Sequence, residues 1–433
     1  MNAPKPSETS QDGRSVVGEA GVALGGEFWD CVIVGAGLSG AVLAERFAST
    51  GYKVLVLEKR DHIGGNCYDY TDAETGIRVN KYGAHIFHTQ MDHVWDYVQQ
   101  FSEWTPYEHE VVANVGGIEV PVPANITTVN ALYDASISSS EEMDAWLEDE
   151  RAASQKPSQE DNAEEMAIAR VGRRLYDHLF LGYTEKQWGC HPRELAPEVT
   201  GRIPVRSNFD PRYFTDKYQA LPSRGYTALF ASLLAHPRIT VRLDADFHAI
   251  RSRLRGRDRF GRLFYTGPID RYFEHADIGK LEYRSLRFER VVHRDTPFAQ
   301  STAVVNFPGP EAAYTRSVEY KHFLKQASPH SVHPTRARTV SFREYSSAEG
   351  EPFYPVPSQR NAQRYERFRE LAEQEEGVTF VGRLANYKYF NMDQAIDNAL
   401  KVFIPLDPRP ETLNLQHGPG HRQCSQGIYS PRP

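Results

Sequence analysis

Only four cysteines occur in 433 residues, Cys31, Cys67, Cys190 and Cys424, and they are far apart. That spacing argues against a zinc knuckle and against a disulfide framework. Long apolar runs are missing too. The longest, Cys31 to Ala44, is broken by three glycines and falls short of the ~20 residues a membrane-spanning helix needs. Mean hydropathy is −0.56, so no membrane span is expected. Basic residues are the minority, 50 against 57 acidic ones, for a formal net charge of −7. Nothing would track a phosphate backbone, so nucleic acid is not an expected partner. Residues 1–27 lack the charged start and continuous apolar run of a secretion signal, which points to the cytoplasm.

What the chain does have is length and rings. Hydrophobic residues make up 40%, with 23 Tyr and 22 Phe. At ~100–200 residues per domain the chain has room for two to four domains. The aromatic excess is compatible with ring stacking on a substrate, although most of these rings belong to ordinary packing.

Residues 1–27 mix Pro, Ser, Gly and Gln without periodicity and read as a disordered tail, as do residues 404–433. Order begins near Phe28. Val32-Ile33-Val34 suits a buried parallel strand, Leu38 to Thr50 a helix, and Lys53 to Leu57 a second buried strand. From Val129 to Cys190 the signals turn helical, with Ala167, Val171, Leu175 and Leu179 at helical spacing. Between Glu141 and Glu165 the chain is acidic around Gln155-Lys156-Pro157-Ser158 and reads as a surface linker or mobile loop. From Arg202 to Tyr354, short strand-like pieces between Pro, Gly and charged turns suggest an antiparallel sheet. Asn361 to Glu376 is then a helix, Val378 to Val381 a strand and Asp393 to Phe403 a last helix. That late strand–turn–helix reads as the nucleotide-binding part resuming after an insertion.

The sharpest local signal is Gly35-Ala36-Gly37-Leu38-Ser39-Gly40, a GxGxxG sequence between strand and helix, followed by Glu58 at the end of the next strand. Gly35 permits the tight turn, Gly37 lets backbone approach a pyrophosphate, and Gly40 allows close helix packing. The helix N-terminus favours the anion, and Glu58 would accept ribose hydroxyls. Lys59 and then Gly64-Gly65-Asn66 follow. The double glycine brings further backbone N–H groups towards a cofactor, a pattern that resembles the large flavoprotein family of the amine oxidases.

Beyond the cofactor half, seven blocks resemble the UDP-galactopyranose mutase family. They are Lys81 to Thr89, Gly182 to Gly189, Gly267 to Asp270, Leu281 to Phe288, Tyr314 to Arg316, Phe353 to Val356 and Gly382 to Tyr389. The resemblance covers roughly residues 28–403. It implies an isomerase that interconverts UDP-galactopyranose and UDP-galactofuranose by covalent catalysis through the N(5) atom of reduced FAD. It also implies an α/β fold: a discontinuous Rossmann-like FAD-binding domain (28–107, 223–285 and 361–403) with an inserted helical-bundle domain (129–200). An antiparallel β-sheet substrate domain (108–128, 201–222 and 286–360) completes it.

The resemblance also carries residue roles. Arg202 and Arg316 would hold the diphosphate, as planar guanidinium forks can. Tyr183, Thr184 and Phe180 would line the uracil pocket, with Trp188 as a mobile gate over the sugar. Tyr213, Tyr354 and Tyr389 would offer hydroxyls to the diphosphate, and Asn306, His109 and Asn391 would stand near substrate. Asn391 replaces an Asp common in bacterial members. His85 and His88 would flank the isoalloxazine, with His88 taking part in catalysis; as a metal pair the two lack a third ligand at sensible spacing. Arg284, Arg383 and Met392 would join Gly35, Gly37, Ser39, Gly40, Glu58, Lys59, Gly64, Gly65 and Asn66 around FAD. Expected partners are UDP-galactose and an electron donor such as NAD(P)H, in a homo-oligomer. The alternatives are a flavin-dependent oxidoreductase of the amine-oxidase type and a UDP-sugar-binding protein with an inactive flavin site.

Overall fold

The computed structural model describes residues 28–154, 160–254, 260–325 and 338–406. A five-stranded sheet is parallel throughout, in the order Ile239–Arg242, Val54–Leu57, Trp29–Val34, Phe260–Tyr265, Val378–Phe380. Its inner strands are almost unbroken apolar runs because both faces are covered. Cys31, Ile33, Val54, Val56 and Phe264 face the helices Leu38–Ser49 and Met392–Phe403, while Val32, Leu55, Leu57 and Tyr265 face Phe247, Ile250 and Tyr272. The last strand and last helix therefore return to the first, as expected for a nucleotide-binding half interrupted by insertions.

A seven-stranded sheet runs Tyr354–Pro355, Tyr283–Arg294, Arg338–Ser347, Arg316–Glu319, Val304–Asn306, Val111–Val115, Ile118–Val122. It departs from the expected antiparallel pattern at one seam, where Val304–Asn306 runs parallel to Val111–Val115. Two segments also sit differently from the expected division. Tyr218–Pro222 pairs with Phe87–Thr89 and Trp104–Pro106 in a separate three-stranded sheet. Tyr283 to Ser285 opens the longest strand of the seven-stranded sheet.

The helical insert contains Ile126–Tyr133, Ser140–Ala153, Ala163–Leu175, a wide turn Tyr176–Leu181 and Gly182–Trp188. The linker expected between Glu141 and Glu165 is overturned over most of its first half, which is helix. Ser139 Oγ accepts the Glu142 N–H at 3.2 Å as an N-cap. Met143 and Leu147, four apart, are buried against Val171 and Leu175. Gly172 makes this contact possible, since a Cβ there would lie 2.8 Å from the Glu150 carbonyl oxygen. The expected tail 1–27, the centre of the polar insert at 155–159 and residues 407–433 lie outside the described residues. Ile404–Leu406, placed in the C-terminal tail from sequence, forms a short 3₁₀ turn. Among the described residues no helix is long and apolar enough to cross a membrane.

Candidate functional site

A cleft opens at the carboxyl ends of the parallel strands, where such sheets bind ligands. Gly35, Gly37, Ser39, Glu58, Lys59, Gly64, Gly65, Asn66, His85, Arg383 and Met392 all line it. Gly35 takes φ +103°, and a Cβ on it would collide with Thr266 Oγ1 at 2.2 Å. Gly40 sits outside the cleft, where a Cβ would strike the Gly35 carbonyl at 1.9 Å. The helix Leu38–Ser49 starts at Gly37 with no side-chain cap, so its first N–H groups remain available to an anion. Gly65, at φ +54°, opposes Gly37 so closely that a Cβ on Gly65 would be 2.9 Å from Gly37 Cα.

Glu58 is 5% exposed. Its Oε2 accepts the Ala36 N–H at 2.8 Å and its Oε1 the Arg60 N–H at 2.9 Å, which fixes the carboxylate and leaves lone pairs on both oxygens for ribose hydroxyls. His85 Nδ1–H donates to the Gly83 carbonyl at 2.8 Å, and burial pushes its pKa down to about 4, so the ring is neutral. Arg383 donates from Nε to the Phe390 carbonyl at 3.0 Å. Lys59 forms an ion pair with Glu351 across the cleft. Thr266, Pro268, Phe247, Arg271, Glu351 and Phe353 line the cleft as well without having been expected as contacts. Thr266 to Pro268 follows a parallel strand, and Pro268 and Phe353 lie within two of the family-like blocks, signals that could have found them; Phe247 and Glu351 arrive by tertiary folding alone. An anion cradle, a pinned acidic residue and a second glycine turn together fit FAD, the cofactor of this cleft.

A second basin adjoins the cleft through Arg383, whose guanidinium lies 5.6 Å from the Tyr354 ring centre and 5.3 Å from that of Tyr389. The two tyrosine rings stack at 5.2 Å and 13°. Arg202 lies over the other ring neighbour, 4.1 Å from the Tyr389 centre, and has no carboxylate partner among the described residues. Arg316 donates from Nε to Glu344 Oε2 at 2.6 Å. Strand register explains that meeting. Asn306, Arg316 and Glu344 lie directly opposite one another on three adjacent strands, so their side chains share a face of the sheet.

Electrostatics tie the basin together. Burial pushes the Tyr183 phenol up to about 12 against the pull of Arg316. Burial raises Tyr213 in the same way, with Arg202 and Arg316 opposing it. Tyr389 goes the other way: burial works to raise it, but Arg202 and Arg383 outweigh burial and hold its phenol below the usual range. Burial pushes His109 down to about 3, with Arg316 adding to the effect; His109 is packed against Tyr107, Tyr213 and Phe214. Thr184 is buried, and Trp188 is buried among Leu195, Val199 and Val356 with its ring 6.2 Å from Tyr389.

Besides Gly40, four expected residues stand elsewhere. His88 does not line the cofactor cleft; its Nδ1–H donates to Asp216 Oδ2 at 2.9 Å and its ring stacks on Phe214 at 3.6 Å. Side chains alternate along Phe87–Thr89, and Phe87 is buried in the core. Arg284, expected at FAD, donates from Nε to the Gln187 carbonyl at 3.1 Å and to Ser346 Oγ at 2.9 Å. It thereby serves the C-terminal end of the helix Gly182–Trp188, where a cation is favoured. Phe180, expected at uracil, is in the helical core with Val171, Leu175 and Tyr176. Asn391, expected at substrate, lines the cofactor cleft.

Comparison with known proteins extends beyond the motifs. The profile of the UDP-galactopyranose mutase family matches residues 178–389, and that of an NAD(P)-binding Rossmann-like domain matches residues 33–101. The chain is 39% identical over 374 residues to a probable UDP-galactopyranose mutase of Klebsiella pneumoniae, covering 86% of this chain and 93% of that one. It is 35% identical over 371 residues to the dTDP-fucopyranose mutase of Escherichia coli, covering 86% and 96%. The crystal structure of a reduced UDP-galactopyranose mutase superposes with a TM-score of 0.70 over 90% of this chain and 97% of that one, at 17% identity, which establishes a common fold. A nicotine dehydrogenase of Pseudomonas putida is 34% identical over only 82 residues, 19% of this chain, whereas identity near two residues in five over 374 positions takes in the helical insert and both sheets. By that measure the chain belongs to the UDP-galactopyranose mutase family.

Proposed function

We propose that this chain interconverts UDP-galactopyranose and UDP-galactofuranose with reduced FAD. The observation that carries this reading is the pair Arg202 and Arg316, set among Tyr183, Tyr213, Tyr354 and Tyr389 beside the cofactor cleft. A sugar exchange at the anomeric carbon needs a site that grips a diphosphate both attached to the sugar and detached from it. Two guanidinium groups do so with paired charge-assisted hydrogen bonds, and tyrosine hydroxyls add donors without adding charge. FAD, when bound and reduced, supplies through N(5) the nucleophile for the anomeric carbon and is returned reduced.

The chain's residues supply position and electrostatics. Arg202 and Arg316 retain UDP after it leaves carbon, so that it recombines with the rearranged sugar. The helix Met392–Phe403 begins at the cleft, and its positive end favours negative charge on the reduced ring. Tyr183 and Thr184 serve the uracil side, where base stacking contributes ~1–3 kcal/mol, and Asn306 and His109 stand on the sugar side. Trp188 covers the sugar and helps keep water from the reacting carbon. NAD(P)H as the reductant, a homo-oligomeric assembly and a cytoplasmic site complete the reading.

A second substrate is favoured by one observation, the 35% identity to the dTDP-fucopyranose mutase. The diphosphate grip would serve both substrates; the thymine methyl and the missing sugar 6-hydroxyl would distinguish them. The test is to incubate dithionite-reduced, FAD-loaded protein separately with UDP-galactofuranose and dTDP-fucopyranose and to follow the products by chromatography. UDP-galactopyranose formed only after reduction supports the proposal. Conversion of dTDP-fucopyranose alone transfers it to the second substrate, and reduction of the oxidised, FAD-loaded protein by substrate would indicate an oxidoreductase.

A further inference from the structure

Glu344 is a buried carboxylate in the basin to which the proposed function gives no task. It is 1% exposed, opposite Arg316 on one neighbouring strand and Phe288 on the other. Its Oε2 takes the Arg316 Nε–H at 2.6 Å. Its Oε1 is buried with no hydrogen-bond partner among the described residues, an unusual state for a carboxylate oxygen. The backbone on both sides is tied, since the Glu344 carbonyl accepts the Thr315 N–H at 2.9 Å and the Thr315 hydroxyl at 3.0 Å. Arg316 and Glu344 therefore cannot slide past each other without breaking two further bonds.

The other side of the carboxylate meets the cofactor loop. Gly83 takes φ +93°, and a Cβ on it would lie 3.2 Å from Glu344 Oε1. Two residues on, His85 bonds back to the Gly83 carbonyl and lines the cleft. Glu344 thus stands between the diphosphate arginine and the loop that borders the cofactor.

We propose that Glu344 is a positioning residue that engages the Nε edge of Arg316 and so keeps the terminal guanidinium nitrogens presented to the diphosphate while it departs and returns. The inference rests on the reading that Arg316 grips the diphosphate. It also has a charge consequence. Arg202, Arg316 and Arg383 less one carboxylate leave two positive charges, against about two negative ones on the diphosphate. Without Glu344 the basin has one more positive charge and an arginine free to swing. Bound UDP would be held as well or better, while the transition state would lose its orientation.

The test uses FAD-loaded, reduced enzyme carrying Glu344→Gln, Arg316→Lys or both. Glu344→Gln is expected to lower kcat at least about 10-fold while the Kd for UDP is unchanged or tighter. On the Arg316→Lys background, which lacks the fork, the same change should alter kcat by less than about twofold. An unchanged kcat, or an equal loss on both backgrounds, overturns the proposal. If Glu344→Gln loses FAD or fails to fold, Glu344→Asp replaces it, keeping the charge but drawing it back. An intermediate kcat with wild-type UDP affinity is then expected, and a wild-type kcat overturns the proposal. UDP binding to Arg316→Ala separates this inference from its premise. Loss of affinity by about 10-fold or more upholds the diphosphate reading whatever Glu344 does, and unchanged affinity sinks that reading itself.

Discussion

The Arg202 guanidinium sits over the face of Tyr389, 4.1 Å from its ring centre. No carboxylate among the described residues neutralises Arg202, which is exposed on its open side; desolvation by its neighbours lowers its pKa, and the oxygens of Tyr389, Tyr213 and Tyr183 outweigh that and raise it. Arg316, by contrast, is bonded to Glu344. One arginine is held by rings and the other by a carboxylate, and both remain available to an anion.

Removing either guanidinium should be costly for turnover but not for cofactor binding. Arg202→Ala and Arg316→Ala are each expected to lower kcat/KM at least about 100-fold, or ~2.7 kcal/mol. The flavin absorbance per protein should stay at the wild-type level, because neither residue lines the cofactor cleft. Near-wild-type turnover by both variants would remove the arginines from the site.

The lowered Tyr389 phenol makes a pH prediction. Its ordinary value is 10, so deprotonation begins at a lower pH than for a free tyrosine. Under the proposed function the phenolate would add a negative charge beside the diphosphate, and UDP affinity should therefore decline as pH rises through the Tyr389 pKa. Titration of UDP against pH, with Tyr389→Phe as the comparison, checks this. The variant should lose the alkaline decline, and an identical decline in both proteins would assign it to another group.

Acid should destabilise the fold through two imidazoles, one buried and one half-buried. His85 and His109 have folded-state values of about 4 and about 3, both pushed down by burial. In the unfolded chain each takes a proton near pH 6.5. The unfolded state therefore binds more protons below that pH, so stability is fully present above pH 6.5 and is lost as pH falls towards 4 and then 3. Urea midpoints measured at pH 7.5 and pH 5 should differ, and by less in His109→Gln, which cannot take up the proton. An equal drop in that variant would clear His109 of the effect.

Two glycines in the cofactor cleft should respond differently to a methyl group. A Cβ on Gly65 would lie 2.9 Å from Gly37 Cα, and Gly65 has a positive φ. A Cβ on Gly37 finds protein only at 3.7 Å. Gly65→Ala is thus expected to reduce both stability and FAD content. Gly37→Ala should keep the apoprotein's Tm within a few degrees while reducing FAD content, because its methyl would enter the space expected for the pyrophosphate. Full FAD occupancy in Gly37→Ala would refute that placement.

The helix Ser140–Ala153 can be tested by its buried side. Met143→Ala should cost about 2–5 kcal/mol of unfolding free energy, whereas the same change in a solvated linker would cost almost nothing. Its neighbour Glu141, exposed on the same helix, is the control.

The difference between local and distant information explains what could be read from the chain alone. Gly35, Gly37, Gly40 and Glu58 were legible because one strand, one turn and one helix carry their whole geometry. The final strand and helix were legible as a return to that half because their apolar pattern repeats it. Arg202 and Arg316 carry no local mark; strand register and the helical insert bring them together, and only the family resemblance pointed to them. Ser139 and the Met143–Leu147 spacing did announce a helix, but the surrounding acidic residues masked it. His88 and Arg284 illustrate the opposite limit. A sequence block can be conspicuous while the side chain within it turns to Asp216, or to the end of a neighbouring helix.

The strand Val378–Phe380 closes one edge of the parallel sheet, and the helix Met392–Phe403 lies against Leu38–Ser49, with Phe403 edge-on to Phe47 at 5.0 Å. During synthesis, the glycine turn that begins the cleft leaves the ribosome more than 350 residues before its last wall. A nascent chain must therefore shield an unfinished half-sheet throughout the manufacture of the insert and the large sheet. The cofactor cleft, for this topology, is complete only once Asn391, Met392 and Ala395 have joined it.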